Sequence, residues 1–291
     1  MLLPMLCCKR WSRRWLQSNE GSRMKSLGWP LATMMVTGIV VGLAGCKPNE
    51  AIRQGAVIDK GTKPNQTVTE NRSSVYDATA GSIRGTVNFP GKVPERLKID
   101  MSQDPVCSIT GGENLAEQYV VHGGKLANVY LYIKEGPESA MNADPKSTAP
   151  VVLDQVGCKY TPHVIAVMRG GTVEFRNSDG TMHNIHTMPA GNQPVDVSQG
   201  AKGAPEIRQF DKPEIMMPVR CNNHPWMNAF INVSTTPFFA VSDVDGKFEI
   251  KGLPPGKYTL AAVHEKLGEQ TISVEVASKE QAKVEFTYST K

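Results

Sequence analysis

The seven residues CNNHPWM, 221 to 227, set a thiol, an imidazole and a thioether at every third position: Cys221, His224 and Met227. Neither regular element suits that spacing. A strand sends side chains three positions apart to opposite faces. A helix would carry Pro225 in its interior, at a penalty of roughly 3 kcal/mol. The segment is therefore expected to be a loop. Soft sulfur donors beside an imidazole are transition-metal chemistry, and this loop supplies part of such a site. Zinc would call for a nitrogen, thiolate or oxygen donor in place of Met227. A further ligand has to come from elsewhere, and TVEFRNSDGTMHNIH (172–186) offers a strand, a polar turn and then His183-Asn184.

The elements that must carry these residues read as strands. The chain has 291 residues, with 40% hydrophobic and 21% charged, which is ordinary for a globular protein. Its 26 glycines and 20 prolines punctuate short apolar or alternating runs at 82–89, 127–133, 164–168, 172–176, 215–219, 229–233, 238–242, 247–250, 258–263, 271–276 and 283–288. Asp245-Gly246 and Pro254-Pro255-Gly256 are turn signals between the later runs. The one helical expectation is a turn around 113–118. The chain is expected to be a multi-strand β protein.

Two resemblances organise it. SDVDGKFEIKGLPPGKYTLAAV (242–263) resembles the second half of a carboxypeptidase-regulatory-like, or transthyretin-like, β-sandwich, whose first strand would be GSIRGTVNF (81–89). That implies a discontinuous sandwich over 80–145 and 236–290 with a second β domain, 146–235, between its halves; the alternative is three consecutive units. Within 146–235, Tyr160-Thr161-Pro162, the run 164–168, GGTVEFRNSDGTMHN and CNNHPWMNAFINV resemble a cupredoxin with an amicyanin-type ligand loop. The implied fold is all-β: a cupredoxin-like Greek-key β-sandwich plus a transthyretin-like one.

The cupredoxin resemblance implies one type 1 copper held by His183, Cys221 and His224, with Met227 as a weak axial ligand. Such a set lies between the preferences of Cu(I) and Cu(II), so little need move when an electron passes. It also implies that Asn184 bonds across to the ligand loop and steadies it. His224 would be a partly exposed electron port, with Pro225 and Trp226 as an apolar docking rim for a transient redox partner. Asn223 stands where related loops often have proline, and its extra N–H near the sulfur is expected to shift the potential.

The N-terminal segment has its own logic. From Met24, a possible true start, the chain runs MKSLGWPLATMMVTGIVVGLAGC, the layout of a secretory signal. Leu43-Ala44-Gly45-Cys46 resembles a bacterial lipobox, which implies that 1–45 is removed and Cys46 lipidated. Residues 46–79 would then be a flexible tether. Lys47, in place of an aspartate, favours the outer over the inner membrane of a cell envelope, with the protein facing the periplasm. Without 1–45 the chain has 26 basic and 27 acidic residues, so no basic stripe argues for nucleic acid.

Cys7 and Cys8 precede the expected start. With Cys46 an anchor and Cys221 a ligand, Cys107 and Cys158 remain, and in an oxidising compartment the pair is expected to form a disulfide. The alternative gives Cys158 and His163 a second metal. His186 is expected near the surface or behind the ligands, His264-Glu265 in a solvated turn, and His122 carries no signal. The function expected is one-electron transfer without catalysis, since six histidines are too few for a multicopper oxidase cluster. Copper trafficking is the rival, given Met182, Met188, Met216 and Met217 nearby. A structural or binding module with a vestigial copper site is the third reading.

Overall fold

The computed structural model of the protein describes residues 78–143 and 149–290. The expected leader, the Cys46 anchor and almost all of the tether lie outside the described residues. Among the described residues, no helix is long and apolar enough to cross a membrane.

The described chain is nearly all β. It opens with β1 (Gly81–Asn88), β2 (Val121–His122), β3 (Lys125–Leu126) and β4 (Tyr130–Glu135). Next come β5 (Val151–Gln155), β6 (Tyr160–Thr161), β7 (Val164–Met168), β8 (Gly171–Asn177), β9 (His183–Thr187), β10 (Asp196–Gln199), β11 (Glu206–Phe210), β12 (Glu214–Arg220) and β13 (Asn228–Ser234). It closes with β14 (Phe239–Val241), β15 (Lys247–Leu253), β16 (Gly256–His264), β17 (Gly268–Val276) and β18 (Gln281–Thr287).

Strands from the two ends of the described chain share two sheets. One runs β15-β1-β3-β2, with β18 also pairing β1 in parallel; the other runs β14-β4-β16-β17. Alternation is what makes them strands. In β18, QAKVEFT, Ala282, Val284 and Phe286 turn inward and their neighbours outward, as a sheet with one covered face requires. These side chains join Ile83, Val87, Leu131 and Leu260 in one core. Burying a residue such as Phe286 contributes about 1.5–3 kcal/mol. Gly85 permits the close approach of β1 to β18, because a Cβ there would sit 2.0 Å from the Val284 carbonyl oxygen.

Strands β5 to β13 form the other two sheets, β10-β9-β12-β13-β7 and β11-β8-β5-β6. Leu153, Phe175, Ile185, Val219 and Ile231 fill a second core, and Cys221 and Met227 belong to it. The metal-site candidates therefore grow out of a packed interior rather than off the tip of a loose loop.

Helix falls in a different place from the one expected. Residues 113–118 form no helix; Leu115 there bridges to Lys98 instead. Helix forms instead as a short turn at Glu138–Met141 and, beside the ligand loop, at Pro105–Thr110. Asp104 accepts from the N–H groups of Val106 and Cys107 at its start, and Pro105 occupies a first-turn position where no N–H is needed. Cys107 is bonded to Cys158, and the pair packs with Met101, Ile99 and Trp226. The disulfide thus ties the 99–107 segment to the turn before β6, directly beside the ligand loop.

Candidate metal centre

Strand pairing brings the separated ligand candidates together. β9 lies beside β12 with Val219 opposite Thr187 and Arg220 opposite His186. This register sets His183, the first residue of β9, next to Cys221, the residue that follows β12. The loop 221–227 then turns the chain into β13. Cys221 N–H donates to the Met227 carbonyl at 3.3 Å, and Met227 N–H to the His224 carbonyl at 2.9 Å. Pro225, with no N–H of its own, fits this tight turn.

Three donor atoms converge inside. His183 Nδ1 and His224 Nδ1 are 2.9 Å apart, and Cys221 Sγ lies 3.5 Å from His224 Nδ1. All three residues are buried, at 0%, 4% and 4% exposure for His183, His224 and Cys221. The sulfur receives the N–H of Asn184 at 3.3 Å, and the N–H of Asn223 is also directed at it. Asn184 Oδ1 accepts from Asn222 N–H across the loop at 3.3 Å, while its amide donates to Asp196 at 2.9 Å. Beneath, the Tyr160 hydroxyl donates to the carbonyls of Asn184 and Arg220, fixing the ends of both ligand-bearing segments.

The outer nitrogen of each ring faces a carboxylate. His183 Nε2 is 2.9 Å from Asp179 Oδ2, and His224 Nε2 is 3.1 Å from Asp104 Oδ2. Both carboxylates are themselves anchored. Asp179 accepts from the N–H groups of Gly157 and Cys158 at 2.8 Å each. Asp104 accepts from Val106, Cys107 and the Thr181 hydroxyl. Burial works against the charge of both, but these donors and the histidines outweigh it, holding Asp179 below its ordinary pKa and Asp104 at about 2.

That arrangement fixes the proton positions. A carboxylate can only accept, so each ring keeps its proton on Nε2 and turns an Nδ1 lone pair inward. Two lone pairs 2.9 Å apart repel unless a cation stands between them. In the metal-free protein that cation is a proton. Burial disfavours a charged His183, yet Asp179 and Cys221 override it and raise its pKa to about 9. Burial likewise disfavours a Cys221 thiolate, but His183, the Asn184 N–H and His224 bring its pKa down to about 6. Two inward imidazoles and a thiolate, with both outer nitrogens held, suit a metal that takes nitrogen and soft sulfur donors, so the set fits copper. Met227, 1% exposed, closes the loop from the core side.

Several expectations are corrected. His224 is not a partly exposed port: Asp104, the Cys107 sulfur at 3.9 Å and the Trp226 ring, centroid 5.0 Å away, cover it. Trp226 is half-buried and donates from Nε1 to the Cys158 carbonyl at 3.0 Å; Pro225 is exposed. Cys158 and His163 do not form a metal pair, since the sulfur is in the disulfide and His163 Nε2 meets Glu265 Oε1 at 2.7 Å. His264 and Glu265 are no solvated turn; His264 is 2% exposed and packs against Tyr119 and Tyr288. His186, by contrast, stands near the surface behind the ligand loop as expected, half-buried and bonded to Asn222 at 2.9 Å.

Asp104 and Asp179 were missing from the residues the sequence singled out. Asp179 lies inside the motif quoted for the ligand region, and Asp104-Pro105 is a helix-start signal. Neither signal says that the carboxylate reaches a histidine.

No family model matches the chain, and no curated protein matches it in sequence. Solved structures similar to part of it include a Cu(I) amicyanin variant, at 19% identity, covering 36% of this chain and 98% of that one with a TM-score of 0.27. A purple cupredoxin from Nitrosopumilus maritimus is 20% identical, covering 29% of this chain and 99% of that one, TM-score 0.25. A copper-containing nitrite reductase from Thermus scotoductus SA-01 is 27% identical over 32% of this chain, TM-score 0.28; the chain spans only 24% of that enzyme.

Proposed function

We propose that the protein holds one type 1 copper through His183, Cys221 and His224, with Met227 as the weak axial ligand, and acts as a one-electron carrier. The observation that carries this reading is the pair of inward Nδ1 atoms at 2.9 Å beside a buried, thiolate-favouring Cys221. Copper, when bound, would supply the one-electron couple between its two oxidation states. The protein's part is to keep the donors in place. Asn184 and Asn223 direct N–H groups at the sulfur, Asp179 and Asp104 hold the rings, and two packed sheets exclude water.

Burial of all three donors favours a resident ion over one handed on, which speaks against trafficking. The carrier would sit in a cell envelope, facing the periplasm and held to the membrane through a lipid on Cys46. Its redox partner would dock briefly at the edge formed by Pro225 and Trp226, the face nearest His224. Cyclic voltammetry of copper-loaded protein tests the carrier role, with competition by a Cu(I) chelator beside it. A carrier gives a reversible one-electron wave and keeps its copper. Rapid loss of Cu(I) to the chelator would turn the reading to trafficking.

A further inference from the structure

We propose that Asp104 is a positioning residue for this metal centre: brought in by the disulfide-tied 99–107 segment, it biases the site toward its oxidised state and seals His224 from solvent. This rests on the copper reading and adds to it how the site's potential and access are set.

The geometry supports each part. Asp104 comes from outside the β5–β13 sheets, yet its Oδ2 reaches His224 Nε2 at 3.1 Å, 120 residues along the chain. Three anchors fix the carboxylate, and none belongs to the ligand loop. Oδ1 accepts from Val106 and Cys107 at 2.7 and 3.1 Å, and Oδ2 accepts from the Thr181 hydroxyl at 3.0 Å. The oxygen therefore cannot swing away without breaking the helix start. Only donors face it, which holds the group as a carboxylate.

A fixed negative charge on the outer nitrogen makes the ring a stronger donor. It also favours whichever state of the centre carries more positive charge. The oxidised state carries the extra charge, so Asp104 lowers the potential. The segment does steric work as well. Cys107 Sγ lies 3.9 Å from the same nitrogen, and its bond to Cys158 holds the cover down. Asp179 makes the matching contact on His183, but from within the β8–β9 turn. Asp104 both charges and covers.

Asp104→Asn is the test, because asparagine caps helices as well as aspartate does while it removes the charge and puts an amide N–H, which cannot accept, in place of the oxygen facing His224 Nε2. Asp104→Ser, also a capping residue, is the second variant. Two readings are taken on full-length protein. In the metal-free state, nuclear magnetic resonance follows the His224 Nε2 proton, which should be slow to exchange and far downfield. Both variants should move it upfield and speed its exchange. In the copper-loaded state, both should tilt the equilibrium toward the reduced form by about tenfold, about 59 mV for one electron. A resonance that does not move, or a potential that stays while only stability falls, overturns the proposal. Failure of the copper reading is seen separately, as a wild-type protein that binds no copper at Cys221; the metal-free resonance then still decides the Asp104–His224 link.

Discussion

Cys107 and Cys158, 51 residues apart, are joined by a disulfide, and the N–H of each donates to a carboxylate that holds one of the two inward histidines. Cys107 serves Asp104 and Cys158 serves Asp179. One covalent bond therefore braces both rings of the candidate metal centre. The Cys107→Ser/Cys158→Ser double variant should lose about 4 kcal/mol of stability on the chain-entropy model, read as a lower denaturant midpoint. In the copper-loaded variant, azide or free imidazole should perturb the spectrum at concentrations that leave the wild type unchanged.

Asp179 steadies His183 through Nε2 at 2.9 Å while two backbone N–H groups steady Asp179. Asp179→Asn keeps the size but replaces one accepting oxygen with a donating NH2, and outer partners of this kind are worth 10–100-fold in metal affinity. Competition with a chelator of known affinity should show about that loss, with the fold intact by circular dichroism.

His264 predicts an acid-sensitive stability unrelated to the metal. Burial pushes its pKa down to about 4, and its Nε2 has no hydrogen-bond partner among the described residues. An unfolded chain would bind a proton there near pH 6.5. Between pH 6.5 and 4 the unfolded state thus takes up a proton that the folded state refuses, so stability falls as pH falls, by about 3 kcal/mol at pH 4. Denaturation midpoints of metal-free protein at pH 7 and pH 4 should show that loss in the wild type and a smaller one in His264→Leu.

Much of this was legible in the sequence where the signal is local. The alternation of residues 283–288 announces a strand, observed as Gln281–Thr287, because one face of it is core. CNNHPWM announces a loop because Pro225 and the three-residue spacing forbid the alternatives. Strands such as Val151–Gln155 and Glu206–Phe210 went unseen, since their sequences do not alternate cleanly between apolar and polar. The cover over His224 was unreadable for a different reason. Asp104 meets His224 only because the Cys107–Cys158 bond and the helix start bring it there, and nothing near either residue encodes the meeting. The buried His264 was misread in the same way: Tyr119 and Tyr288 bury it, and both are remote in sequence.

If His183, Cys221 and His224 bind one ion together, titrating Cu(II) into folded, metal-free protein while recording absorbance and electron paramagnetic resonance will show it. Saturation should come at one equivalent, with an intense visible thiolate-to-copper band that is lost in Cys221→Ala. Binding without a thiolate band, or a band that survives Cys221→Ala, would contradict it.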